Sequence, residues 1–447
     1  MITKTFADFA AQLSYEKLPD EAVSAARKVF MDWLGNAYAG AGTRTGQIIQ
    51  EVVAESGGNP EASLIGFKAK SNALNAALVN GGISHIVEFD DIYKNAIYHP
   101  GAPTIAAALA VAEKLKVDGK RLITGIVAGY EVSDRIGEAL QPSHYRFWHT
   151  TGTIGTFGAA AAAGNILGLN QEQMLWAMGS AGTMAAGLWQ FLDDGQLMTK
   201  PLHPGRAASN GVLAALLAKK DFNGATRILE GEKGFGKAMS TDWGFDRVMA
   251  TLGKEWLVAQ TTFKAYAACG HTHPTIDCIL ALKKDHGVTA DDVEKVRVRT
   301  YGQAYTVCNN PTPVTTYQAK FSLQYTAAIA LRFGLVGTAE FAQERIGDPE
   351  TAAVMRKITV EADPELTPLA PAKRPAIVEI TTKNGQTFTH RVDYRKGDPE
   401  NPPTLEELQN KFRDLASATL PKADIEPTIE AVSGLERMED VSKLIRR

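Results

Sequence analysis

From Thr5 to about Leu257 apolar residues recur at three- and four-residue steps, segment after segment, which restricts this half of the chain to packed helices. In DEAVSAARKVFMDWLGNAYAG, Val23, Ala26, Val29, Phe30 and Leu34 share one helical face, opened by Pro19 and Asp20 and closed by Gly40. Similar patterns follow at 46–54, 73–87, 104–115, 120–140, 153–167 and 171–188, and no alternating run predicts a strand here. The segments GTFGAAAAAGNILG (155–168) and GSAGTMAAG (179–187) consist almost wholly of small side chains. Such surfaces let helix backbones approach closely and predict the centre of a tight bundle. Gly152, Gly155 and Gly158 do not make a dinucleotide fingerprint, and no strand precedes them, which argues against a Rossmann fold.

After Leu257 the pattern changes. PTIDCILALKKDHG reads as a helix, and in VEKVRVRTYG Val296 and Val298 alternate with charge as in a half-exposed strand. TYQAKFSLQYTAAIALRFG predicts a second helix, KITVEA a second strand, and AIVEITTKNGQTFTHRVDY a hairpin turning at Asn384-Gly385. The expected unit is α+β, with four antiparallel strands and two helices. The Pro/Gly-rich RKGDPENPP then leads into TLEELQNKFRDLASATL, where Thr404 and Glu407 form a capping box. At 447 residues the chain exceeds one ordinary core. The expected architecture is mainly α: a large all-helical domain of residues 1–264, completed by 400–447, and a smaller α+β lid domain of 265–399.

A formal charge of −3 with 22% charged residues shows no basic excess to attract nucleic acid. No eighteen apolar residues run uninterrupted, so no membrane span is expected. The start, MITKTFADFAAQL, lacks a charged region followed by an apolar run, which points to a cytoplasmic protein. Cys269, Cys278 and Cys308 cannot all pair, and reduced thiols are expected.

Candidate chemistry gathers in four places. HIVEFDDIYKNAIYHPG carries His85, Glu88, Asp90, Asp91 and His99; its spacing matches no metal loop, and positioning or proton transfer by His99 is the preferred reading over metal binding. HYRFWHTTGT (144–153) sets Tyr145, Arg146 and His149 before a helix start whose dipole lowers the proton affinity of His149. DDGQLMTKPLHPGRAASN (193–210) packs Lys200, His203 and Arg206 into seven residues among Pro201, Pro204 and Gly205. There Gly195 and Gly205 are expected to free the backbone, and Ser209 and Asn210 to satisfy helix-start amides, giving an anion site. TTFKAYAACGHTHPTID holds Lys264, Tyr266, Cys269, His271 and His273. Its Cys-x-His-x-His suggests zinc, but ligands two apart point to opposite sides and no second pair accompanies them. No acyl-transfer signature supports Cys269 as a nucleophile.

Several imidazoles, two lysines and an arginine, with no phosphate loop and no cofactor motif, suit a small substrate with two or three carboxylates. Cations clamp the carboxylates while a Lys, His or Tyr removes a proton from the adjacent carbon. A lysine serves as that base where neighbouring cations and burial disfavour its charged form, as the crowding of Lys200, His203 and Arg206 suggests. A non-catalytic carboxylate-binding protein is the alternative of another class.

The segments EFDD…HPG, HTTGTIGTFGAAAAAG, MTKPLHPGRAA, TFKAYAACGHTHP, AKFSLQY and KGDPENPP together resemble the MmgE/PrpD family, in the family's order along almost the whole chain. The resemblance implies a large helical domain with an α+β lid, a homodimer, an active site between domains, and no cofactor; from the residues themselves no metal is expected. Carried over residue by residue, the resemblance places the family's site on His99, His149, Lys200 and Lys264, with Tyr145, His203 and Arg206 as neighbours. Catalysis is expected of Lys200, His149, Tyr145 and Lys264, and polycarboxylate binding of His99, His203, Arg206, His271 and His273. Where the dehydratase and decarboxylase branches carry Asp and Thr beside the paired aspartates, this chain has Glu88 and Ile92. With the compact length, this leads to an iminodisuccinate-type epimerase as the expected activity. Dehydration or decarboxylation of a citrate-like acid is the alternative.

Overall fold

In the computed structural model, which describes residues 1–445, the chain divides into two units: Met1–Thr262 with Thr404 onward, and Phe263–Pro403. The first unit is built from α1 (Ile2–Gln12), α2 (Asp20–Ala41), α3 (Arg44–Ser56), β1 (Ala62–Leu64), β2 (Ala69–Ser71), α4 (Ala73–Ile83), α5 (Gly101–Leu115), α6 (Gly119–Ala139), α7 (Thr150–Leu167), α8 (Gln171–Met184), α9 (Gln190–Asp193) and α10 (Leu202–Ala218). Helix α7 is its axis: every residue from Thr150 to Ile166 is buried, and α5, α6, α8 and α10 all pack on it. Its Ala/Gly composition permits this, because larger side chains would hold the neighbours away. Side-chain caps start α3 (Thr43), α4 (Asn72), α6 (Asp118) and α8 (Asn170, in a capping box with Gln173).

Among the described residues, the first unit departs from an all-helical reading in the antiparallel ribbon of β1 and β2. Three-residue strands are too short to show alternation. Distant side chains hold them instead: the Ser63 N–H donates to Glu113 Oε2 at 2.5 Å, the Ile65 N–H to Asn80 Oδ1 at 3.0 Å, and Asn80 Nδ2 to Ser63 O at 2.8 Å. A second correction concerns α10. It begins at Leu202, so Ser209 and Asn210 lie within the helix and cap nothing. Gly205 has an ordinary helical backbone, and its missing side chain serves a close approach, since a Cβ there would meet Leu78 O at 2.5 Å.

Helix Leu405–Ala416, with the Thr404/Glu407 capping box, packs on α2. Its Lys411 Nζ pairs with Asp32 Oδ1 at 2.6 Å and donates to Phe89 O at 2.6 Å, bracing the acidic segment that follows α4.

The second unit holds a sheet of β3 (Val293–Thr300), β4 (Ile358–Ala362), β5 (Ala376–Thr382) and β6 (Thr387–Val392) in the order β4-β3-β5-β6. The expected fully antiparallel sheet is corrected: β3 and β4 run parallel. The chain between them carries helices, among them Leu323–Phe333, and a crossover of that length is what a parallel return requires. Gly385, at φ +84°, makes the β5–β6 turn. Helix His273–His286 packs on β5 and β6. The stretch expected as one helix breaks into Thr316–Lys320 and Leu323–Phe333, because Ser322 caps the latter by accepting from the Tyr325 N–H. Helices Gly302–Cys308 and Pro349–Met355 add to the two expected. No helix among the described residues is long and apolar enough to cross a membrane.

Candidate active site

The segment between α4 and α5 places three charged groups with different fates. Asp90 is buried with Oδ2 2.6 Å from His85 Nδ1 and 3.2 Å from His99 Nδ1. Burial pushes its carboxyl upward, but the two imidazoles outweigh that and hold it well below the usual carboxylate range. For Asp91, burial and the nearby Asp32 act together, raising it well above its ordinary value. Asp91 accepts from Tyr130 Oη at 2.7 Å and from the Gly101 N–H at 3.2 Å, tying the segment to the first residue of α5. His99 is thereby positioned two residues ahead of that tie, and Gly101 is required there, because a Cβ would lie 2.6 Å from Asp91 Oδ1. Glu88 is buried in the left-handed region at φ +60°. A side chain there costs roughly 1–2 kcal/mol, a strain that concentrates at functional sites.

Glu88 meets Lys200, from the turn before α10, in a buried ion pair. Lys200 therefore faces a carboxylate, and the expected cluster of mutually repelling cations is corrected. Arg206 is exposed on α10 and donates to Asn210 Oδ1 at 3.1 Å.

His149 is the residue preceding α7, and its N–H donates to Gly187 O at 2.8 Å. Its ring stacks on His85 at 5.5 Å, lies 4.5 Å from Trp189 and 5.2 Å from His203, and its Nδ1 is 3.0 Å from His203 Nδ1. Burial first, then His85 and Lys200, lowers its pKa well below the ordinary imidazole value. The lowered proton affinity expected for His149 is observed, and burial is its largest cause. His203 is lowered to about 4, again by burial and then by His85 and Lys200. Both rings are thus neutral near pH 7. A contact between two Nδ1 atoms needs one N–H and one lone pair, so the two rings hold opposite tautomers.

Tyr145 is half-buried with its ring edge-on to Trp189 at 5.1 Å, and Phe191 lies against His203 at 5.3 Å. Trp189 Nε1 is buried without a hydrogen-bond partner among the described residues. The neighbouring His144 belongs to the core, with Nδ1 3.0 Å from Met239 O and Nε2 2.8 Å from Thr153 Oγ1. At the start of α7, Thr151 Oγ1 accepts from the His99 N–H at 3.4 Å.

Two family models cover the chain, the MmgE/PrpD N-terminal domain over residues 4–248 and the MmgE/PrpD C-terminal domain over 266–437. The chain belongs to the MmgE/PrpD family. It is 30% identical to the cis-aconitate decarboxylase of Mus musculus over 100% of this chain and 93% of that protein. It is 29% identical to the Homo sapiens cis-aconitate decarboxylase (99% and 93%), and 23% identical to the 2-methylcitrate dehydratase of Salmonella typhimurium strain LT2 (79% and 76%). Its relatives of this kind are enzymes acting on carboxylic acids.

Within this MmgE/PrpD chain, the first unit brings together His99, His149, Lys200 and His203 with His85, Glu88 and Asp90, and Tyr145 joins through Trp189. Lys264, His271 and His273 belong to the second unit. Lys264 is buried; His271 Nδ1 bonds Tyr301 Oη; His273 Nε2 lies 3.2 Å from Ala268 O. Cys269 packs with Cys308 and Leu323, so Cys269, His271 and His273 face three different partners and do not converge on a metal. Among the described residues the donors close enough for one are His85, Asp90 and His99, within 4.8 Å. The 2.6 Å His85–Asp90 separation is a hydrogen bond, shorter than the roughly 3.3 Å between two ligands of tetrahedral zinc. Trp189 and Phe191 carry no signal in the sequence that separates them from core aromatics. His85 and Glu88 were visible as polar residues of the acidic segment, but their partners were not.

Proposed function

We propose that this MmgE/PrpD protein is a lyase that decarboxylates or dehydrates a small di- or tricarboxylic acid without a cofactor, by proton transfer next to a carboxylate. The observation that carries the reading is the buried Glu88–Lys200 pair beside two neutral imidazoles of opposite tautomer, His149 and His203. The lone-pair nitrogen of one ring can accept a proton while an N–H of the other delivers one, and the Lys200 ammonium balances a substrate carboxylate.

In dehydration, the C–H bond next to a carboxylate gives its proton to an imidazole. Its electron pair forms the C=C bond, and the hydroxyl departs as water with the proton of the second group. In decarboxylation, the C–C bond to a carboxylate breaks, carbon dioxide leaves, and the electron pair left on carbon takes the delivered proton. Neither route needs a redox partner. Similarity to cis-aconitate decarboxylases over the full chain puts decarboxylation first. Epimerisation of an iminodisuccinate-type substrate, the activity expected from sequence, moves to second place, supported by Glu88 and by the buried Ile92.

Proton NMR in deuterated buffer with cis-aconitate, 2-methylcitrate and iminodisuccinate separates these readings. Loss of carbon dioxide or water supports the lyase; exchange of an α-proton with neither loss supports the epimerase. No turnover of any of the three would refute both and favour a carboxylate-binding protein.

A further inference from the structure

Two arginines, Arg374 and Arg395, are buried in the second unit. Arg395 is 1% exposed; its Nε donates to Asp398 Oδ1 at 3.1 Å and its Nη1 to Gly270 O at 2.7 Å, while Nη2 is buried with no acceptor among the described residues. Arg374, just before β5, is 8% exposed, and no carboxylate of the described residues forms an ion pair with it. Gly270 is open for the contact, since a Cβ there would lie 2.2 Å from Arg395 Nη1.

Thr300 Oγ1 donates to Pro375 O at 3.1 Å and Thr300 pairs with Ala376, which sets Arg374 near Tyr301, and the two guanidiniums act on the same neighbours. Both contribute to holding His271 neutral, after burial, and both act on Tyr301, which burial keeps a phenol. Tyr301 Oη bonds His271 Nδ1, and the two rings are 5.6 Å apart. Cys269 and Cys308 beside them are buried and unbridged, and Cys269 also acts on Arg374. The carboxylates available are Asp398, already on Arg395, and Asp277. Asp277 accepts from Tyr266 Oη at 2.6 Å and from the Lys396 N–H at 2.7 Å, and burial raises it toward its neutral form. Two arginines thus share one carboxylate. A buried guanidinium without a counter-charge is strongly unfavourable, and a bound anion removes the imbalance.

We propose that Arg374, Arg395 and the Tyr301–His271 pair form a binding site for one carboxylate group of a small organic anion. The planar donor fork of arginine matches a planar carboxylate better than a tetrahedral phosphate. His271, expected to bind substrate, enters through its pairing with Tyr301. The site requires no chemistry at Lys200 or His149, so it stands apart from the lyase reading.

The test is calorimetric titration and thermal melting of the full-length protein with malonate and with inorganic phosphate. Malonate is expected to bind the wild type and still to bind Lys200→Met, in which the Lys200 site is removed, and to raise the melting temperature of each above its own ligand-free value. Arg374→Gln is expected to weaken malonate about tenfold or more, the factor of one charge-assisted bond, and to remove the melting shift. Arg374→Met is expected to melt at or above the wild type without ligand, because it removes an uncompensated charge. Arg374→Lys is expected to fold like the wild type yet bind malonate more weakly, having lost the fork. Unchanged malonate binding by Arg374→Gln and Arg374→Lys would overturn the proposal. So would loss of all malonate binding in Lys200→Met, or Arg374-dependent binding of phosphate without malonate.

Discussion

His203→Gln tests whether the imidazole beside Lys200 is held neutral by its surroundings. Its pKa is about 4 in the folded protein against an ordinary 6.5. Between these values the unfolded chain binds the proton that the folded chain refuses, so stability is complete above pH 6.5 and is lost as pH falls toward 4. At 1.36 kcal/mol per pKa unit, linkage gives a loss of about 2 kcal/mol from this group between pH 7 and pH 5, reduced by screening because the ring is partly open to solvent. Glutamine keeps a polar side chain but does not titrate. The wild type is therefore expected to lose about 2 kcal/mol more than His203→Gln over that interval. All six tryptophans, at 33, 148, 176, 189, 243 and 256, lie in the first unit. Denaturation followed by tryptophan fluorescence at pH 7 and pH 5 thus reads the unit that contains His203. His144, also lowered to about 4 by burial, supplies a comparable acid loss to both proteins and cancels in the comparison. Equal losses in wild type and variant would refute the reasoning.

Glu88→Gln and Lys200→Met should each lower turnover on the order of 10²–10⁴-fold and destabilise the first unit, while the double variant regains stability but not activity; additive destabilisation in denaturation would count against the buried pair. Gly205→Ala should destabilise the first unit by about 1–3 kcal/mol, because its Cβ would meet the backbone oxygen of Leu78, and an unchanged fluorescence transition would contradict that packing. Activity should survive exhaustive dialysis against chelator, and loss restored by zinc or magnesium would point to a metal at His85, Asp90 and His99. Light scattering should give twice the 48.1 kDa chain mass if the homodimer implied by family resemblance forms, and a monomeric mass would dismiss it.

Much of the fold was readable because its signals act over three or four residues. The Thr404/Glu407 box, the Asn384-Gly385 turn and the small-residue face of α7 depend on neighbours within one turn or on a periodic surface. The candidate site was readable where a polar group abuts an apolar helix, as at His99, His149, Lys200 and His203. Arg206 carries the same signal but does not join them, since three helical steps turn it about 60° from His203 and its long side chain reaches solvent.

The sequence by itself determined the helical bundle, the change to an α+β unit and the segments that bear the chemistry, because periodicity, caps and turns are local properties of the chain. Only the tertiary structure decided which groups meet. Glu88 and Lys200 are 112 residues apart, His149 and His203 are 54 apart, and Glu113 anchors the β1–β2 ribbon from a distance of 50. No periodicity records such pairings. Charge state follows the same rule: Asp90 and Asp91 are adjacent, yet two imidazoles hold one carboxyl low while burial beside Asp32 raises the other. Those environments are assembled by packing, and the order of residues along the chain does not contain them.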